Sequence, residues 1–131
     1  MPLITWTDSL SVGHAALDED HRRLVALVND FFESWAADTD RSRAAALLNE
    51  LIVYTDTHFL REERILEERD YPRLANQRLA HQELRAEVHL IRQKIGENDP
   101  TLSSKAIGRV LESWLIDHII AEDKLYRVLF T

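Results

Sequence analysis

Cysteine is absent from this 131-residue chain, and that absence removes several chemistries at once. The chain can form no disulfide, no thiolate nucleophile and no thiolate-bound zinc or iron–sulfur site. Gly and Pro are scarce at three each, which suits a helical protein with short connections. No apolar stretch approaches the roughly 20 residues of a membrane span, and the opening MPLITWTDSL has no basic leader. A soluble, cytoplasmic chain is therefore expected. Positive charge is also short: 16 Lys and Arg stand against 23 Asp and Glu, a net charge of -7. A nucleic-acid partner is disfavoured because phosphate binding needs a positive surface, whereas protein partners stay open.

What is present is apolar periodicity. At 45% hydrophobic content the chain can bury a core of its own, and one domain over residues 1–131 is the expectation. After an opening segment that reads as an extended arm, four stripes follow at helical spacing. The first runs Leu17, His21, Leu24, Val28, Phe31 and Trp35, and the second Ala44, Leu48, Leu51, Thr55, His58, Glu62 and Ile65. The third runs Leu74, Gln77, His81, Leu84, Val88, Ile91 and Ile95, with Pro72 near its start and Gly96 where a C-cap is expected. The fourth runs Ile107, Leu111, Trp114 and His118, with Leu125 and Leu129 beyond. Asp40 is placed to cap the second helix. Gly108 inside the fourth should cost about 1 kcal/mol relative to Ala. Four such stripes with short joints predict an all-α, antiparallel up-down-up-down four-helix bundle preceded by an N-terminal extended arm.

Polar residues interrupt the stripes at one level. His21 lies early in the first helix, His58 and Glu62 late in the second, Gln77 and His81 early in the third, and His118 late in the fourth. In an antiparallel bundle the start of one helix lies beside the end of the next, so these side chains converge near one end of the core. Burying several imidazoles and carboxylates there without partners would be prohibitive. A polar network alone would have to satisfy every member. A metal supplies the missing partner, and imidazole nitrogen with carboxylate oxygen suits iron, manganese or zinc. His14 in the arm and His89 beside the third stripe read as ordinary polar side chains.

Spacing leaves one ligand open. His58 and Glu62 are four residues apart and share a helix face, as do Gln77 and His81. Asp123 follows His118 by five residues, about 140° away around an ideal helix. Glu122, four residues on, is the simple geometric choice, and Asp123 would serve only if the helix unwound locally or the two residues approached different sides of a broad site. Spacing does not choose between them.

The chain resembles the bacterial hemerythrins, non-haem diiron proteins that bind oxygen. The likeness spans nearly its whole length, through ITWTDSLSVG, LDEDHRRLVALVNDFF around His21, HFLREE around His58 and Glu62, YPRLANQRLAH ending at His81, and WLIDHIIAED ending at Asp123. The resemblance implies two iron ions bridged by an oxo or hydroxo group, with Glu62 and Asp123 as the bridging carboxylates. It places His21 and His58 on the iron with a vacant position for oxygen, and His81 and His118 on the other. That other iron should have a further histidine four residues before His81, where this chain has Gln77. The Gln77 carbonyl could ligate directly, bind through a water, or leave the position partly open. Phe59, Trp114 and Leu115 resemble the family's apolar oxygen-pocket residues. The implied function is reversible dioxygen binding for carriage, storage or sensing, a binding protein rather than an enzyme. A diiron oxidase, peroxidase or nitric-oxide-handling enzyme is the alternative that Gln77 suggests.

Overall fold

Four α-helices follow the four stripes. The computed structural model describes residues 3–36, 41–96 and 104–130. Helix α1 spans Ala15–Ala36, α2 Arg41–Glu68, α3 Leu74–Gly96 and α4 Ser104–Ala121. Helix α1 packs on α2 and α4, and α2 also packs on α3, forming a four-helix bundle with no β-strand among the described residues. Asp40 and residues 97–103 lie outside the described residues. The arm is extended apart from a 3-10 turn at Asp8–Leu10. Asn29 of α1 clamps it: its side-chain oxygen accepts the Ile4 N–H, and its amide donates to the Ile4 carbonyl, both at 2.8 Å.

The stripes supply the core with two shifts of phase. In α1 all six stripe residues are buried. In α2, Ile65 is only half-buried and Leu66 is fully buried instead. From Glu62, a step of four overshoots the inward direction by about 40°, whereas a step of three falls short by about 60°. In the last stripe Leu125 is exposed and Leu129 half-buried. Helix α4 stops at Ala121, and the chain continues as a 3-10 helix over Asp123–Phe130. Its three-residue turn carries Asp123 and Tyr126 inward instead.

Gly108 has a packing reason. A Cβ there would lie 2.6 Å from Cε2 of the Phe32 ring, so glycine lets α1 and α4 approach. Helix α2 ends in a Schellman turn, with Asp70 left-handed at φ 53°. The Tyr71 N–H reaches back to the Leu66 carbonyl and the Asp70 N–H to the Glu67 carbonyl, both at 3.0 Å. Tyr71 packs on Leu66 in the accompanying apolar contact.

Two apolar clusters result. The large one fills most of the bundle, from Leu24, Val28, Phe31 and Leu48 to Ile91, Leu111 and Leu115. The small one gathers Val12, Leu17, Leu66, Tyr71 and Tyr126. On α1 and α2 the polar residues lie between these clusters: His21 follows Leu17 and precedes Leu24, and Glu62 precedes Leu66. The polar layer is sealed on both sides.

Candidate metal centre

Each helix delivers its polar residue to this layer by the stripe that buries its neighbours. His21 comes from α1, His58 and Glu62 from α2, Gln77 and His81 from α3, and His118 from α4. All are buried or nearly so, as is Asp123. Where α4 ends determines which of Glu122 and Asp123 reaches this layer. The Glu122 N–H closes a last α-helical turn on the His118 carbonyl, and the Leu125 N–H then bonds the Glu122 carbonyl in 3-10 fashion. This tightening swings Asp123 to 2.9 Å from His118 Nε2. Glu122 faces outward, 3.9 Å from Arg73.

The donors form two groups of four, His21–His58–Glu62–Asp123 and Glu62–His81–His118–Asp123. Glu62 Oε2 lies 3.5 and 3.2 Å from the Nε2 atoms of His21 and His58, while its Oε1 lies 2.9 Å from His81 Nε2. Asp123 divides likewise, Oδ2 lying 3.1 Å from His21 Nε2 and Oδ1 beside His118. Each carboxylate thus gives one oxygen to each group, the arrangement needed to bridge two ions.

The contacts are those of atoms converging on a common point. His21 and His58 aim their Nε2 atoms at each other across 3.1 Å. Among the described residues, His118 Nε2, Asp123 Oδ2 and Gln77 Oε1 are buried without a hydrogen-bond partner. The short His21–Asp123 and His118–Asp123 approaches therefore do not satisfy these atoms. Buried donors left in this state cost free energy that a pair of cations would remove. The nitrogen and oxygen set suits divalent iron, manganese or zinc, and a bundle core with facing carboxylates and histidines suits two of them. The residues present fit a diiron centre.

The electrostatics agree. Burial pushes the His21 imidazole down, but the Asp123 and Glu62 carboxylates beside it raise it to about 10. Burial pushes Glu62 up, yet His58, His21 and His81 hold it well below its ordinary value. In the metal-free chain protons stand in for cations, and metal binding must displace them.

An outer layer of residues, not identified from the sequence, fixes the rings. Asp20 Oδ2 pairs with His58 Nδ1 at 2.9 Å, while its Oδ1 takes the Tyr54 hydroxyl at 2.9 Å and Arg61. Glu63 pairs with His81 Nδ1 at 2.8 Å. Both contacts turn Nε2 inward. The Tyr126 hydroxyl donates to Glu62 Oε2 at 2.9 Å. Burial and the Glu62 and Asp123 charges raise its pKa well above the ordinary value, so it stays protonated. Asp20 had a signal in the sequence: it precedes Leu24, Leu27 and Phe31 at steps of four, three and four.

Phe59, Trp114 and Leu115 are buried and line a cavity of about 10 Å³ with His21 and His58 of the first group and His118 of the second. That is room for about one water-sized molecule. The Phe59 ring stacks on His81, centroids 3.8 Å apart. His14 takes no part: its ring packs edge-on against Phe130, and its Nδ1 accepts the Leu17 N–H at the start of α1. His89 is exposed beside Arg92.

Comparison with known proteins follows the same outline. The family model described as the hemerythrin HHE cation binding domain matches residues 12–129. A bacteriohemerythrin of Stenotrophomonas maltophilia is 32% identical over 130 residues, covering 96% of this chain and 80% of that protein. One of Methylococcus capsulatus is 30% identical, covering 96% and 95%. The crystal structure of wild-type hemerythrin superposes with a TM-score of 0.86 at 26% identity, covering 98% of both chains. The chain belongs to the hemerythrin family.

Proposed function

We propose that this chain binds dioxygen reversibly at a non-haem diiron centre, for carriage, storage or sensing. The carrying observation is that Glu62 and Asp123 each place one oxygen in each of two four-donor groups. On this reading His21 and His58 would hold one iron, His81 and His118 would hold the other, and Glu62 and Asp123 would offer an oxygen to each. The iron pair, when bound, supplies the electrons and the affinity for dioxygen.

The chain's own residues govern what reaches that pair. Leu24, Phe59, Leu84, Trp114, Leu115 and Ile119 wall the cavity with apolar surface. The Trp114 N–H is engaged by the Leu84 carbonyl at 2.9 Å and is turned from the ligand. Burial and Glu62 push Asp123 up, but His118 and His21 hold it below its ordinary value, so it stays ionised and offers no proton. An apolar-walled pocket whose imidazoles have given up their protons to bound metal favours release of the bound molecule over further chemistry. Asp20 and Glu63 keep the His58 and His81 rings aimed inward, and Tyr126 tempers the charge on Glu62.

The test is the fate of oxygen offered to the reduced, iron-loaded chain. Uptake that reverses when oxygen pressure falls, over repeated cycles, is the expected result. Continuous oxygen consumption with a supplied reductant would instead favour an oxidase or peroxidase. That second reading draws on Gln77, which leaves two imidazoles in the second group. No helix among the described residues is long and apolar enough to cross a membrane. That finding and the acidic surface support a cytoplasmic protein whose partner is a small neutral ligand rather than nucleic acid.

A further inference from the structure

Gln77 lies one helical turn before His81 on α3 and is only 1% exposed. Its side-chain nitrogen donates to Asp123 Oδ1 at 2.8 Å and to Glu62 Oε1 at 3.2 Å. These are the two carboxylate oxygens of the second group. Its own carbonyl oxygen is buried with no partner among the described residues. An amide that gives both its bonds to ligand atoms while leaving its acceptor stranded needs an explanation.

Distance supplies one. Neighbouring ligands around a six-coordinate ion with bonds of about 2.1 Å sit about 3.0 Å apart. His81 Nε2 to Glu62 Oε1, at 2.9 Å, has that spacing, as does His118 Nε2 to Asp123 Oδ1 at 2.9 Å. The two Gln77 contacts have it too. The end of the Gln77 side chain is thus placed, by contacts that are also ordinary hydrogen bonds, where a further ligand of the second metal would lie.

We infer that Gln77 is a ligand of the second metal through its carbonyl oxygen, its amide turning over as the cation arrives. This assignment rests on the diiron reading above. The amide nitrogen and oxygen are nearly equal in size, and rotation about the last side-chain bond exchanges them without moving their neighbours. Charge decides which end faces the centre. Without a cation the NH2 turns to the two carboxylates. A cation reverses that choice, because the amide nitrogen lone pair is delocalised and only the carbonyl can ligate. The turn exchanges one unpartnered buried atom for another and gains a metal bond. Each metal then carries two imidazoles, and the second is distinguished by a third protein oxygen.

Two roles predict different behaviour from one pair of variants. Gln77→Leu keeps the volume but can neither ligate nor donate. Gln77→Glu keeps an oxygen in the same place but cannot donate to Glu62 and Asp123. The metal-free full chain is titrated anaerobically with Co2+, followed by its visible d–d bands, which no cysteine sulfur can obscure. The native chain should take up two Co2+. In Gln77→Leu the second should bind at least about tenfold more weakly, while retention of the first shows that the bundle is intact. Gln77→Glu should hold both at least as tightly as native. Native-like binding of both ions by Gln77→Leu would overturn the assignment. So would a Gln77→Glu chain that loses the second ion as the leucine variant does, since that marks a donor role. A native chain that takes up fewer than two Co2+ would overturn the two-metal reading and the assignment together.

Discussion

The two apolar clusters that bracket the polar layer are built differently. The large cluster draws on helical seams that repeat every three or four residues, such as Leu48 and Leu51 against Val28 and Ile91. The small one takes Val12 from the arm, Leu66 and Tyr71 from either side of a Schellman turn, and Tyr126 from a 3-10 segment. The first makes the bundle stable. The second closes its end over the donor groups, and it is tied down by polar contacts of the arm with the start of α1 and with the 3-10 segment. Asp18 accepts the Val12 N–H at 2.8 Å and the Ser11 hydroxyl at 2.6 Å, and Lys124 and Arg127 bond the Ser9 and Ser11 carbonyls at 2.7 and 2.9 Å. A helical seam can therefore secure a fold, but a dry site at its end depends on elements with no period.

Substitutions in the two clusters should separate these roles. Leu48→Ala should lower stability most, by about 3–5 kcal/mol in denaturant unfolding, with metal retention unchanged. Leu66→Ala should cost about 2–3 kcal/mol, because a bundle end relaxes more readily around a cavity. It should also speed loss of metal to a chelator severalfold, which Leu48→Ala should not. Equal metal loss from both variants would erase the distinction between the clusters.

The layer between them should show its own pH dependence. With His21 raised from 6.5 to about 10, the folded metal-free chain holds a proton that the unfolded chain releases. The stabilisation is complete below about 6.5 and declines as pH rises toward 10. Urea unfolding across that range should show the decline without metal. It should be flat for this group once metal occupies Nε2. Gly108→Ala probes the packing of α1 on α4 more gently. Helix propensity alone predicts a gain, yet the added Cβ would meet the Phe32 ring at 2.6 Å. A net loss of about 1–2 kcal/mol is expected, relieved by a smaller residue at 32.

The same contrast explains what was legible in the sequence. The bundle and the six residues His21, His58, Glu62, His81, His118 and Gln77 could be placed together from helical period alone. Asp123 could not, because its position depends on α4 ending at Ala121, and ideal-helix spacing makes Glu122 the simple choice without deciding between them. The same 3-10 segment exposes Leu125 and buries Tyr126, against the stripe. Ile65 gave way to Leu66 because a three–four alternation drifts over a 28-residue helix. Asp20, despite its spacing to Leu24, and Glu63 each neighbour a ligand residue and resemble a solvated acid. Only the fold shows which imidazole each one meets.

The bridging role of the two carboxylates is tested most directly by iron content. Native chain and Glu62→Leu, reconstituted side by side and freed of loose metal, should hold two irons per chain and almost none. Helical circular dichroism would confirm that both are folded. Two tightly held irons in Glu62→Leu, or one or none in the native chain, would contradict a centre in which Glu62 joins two metals.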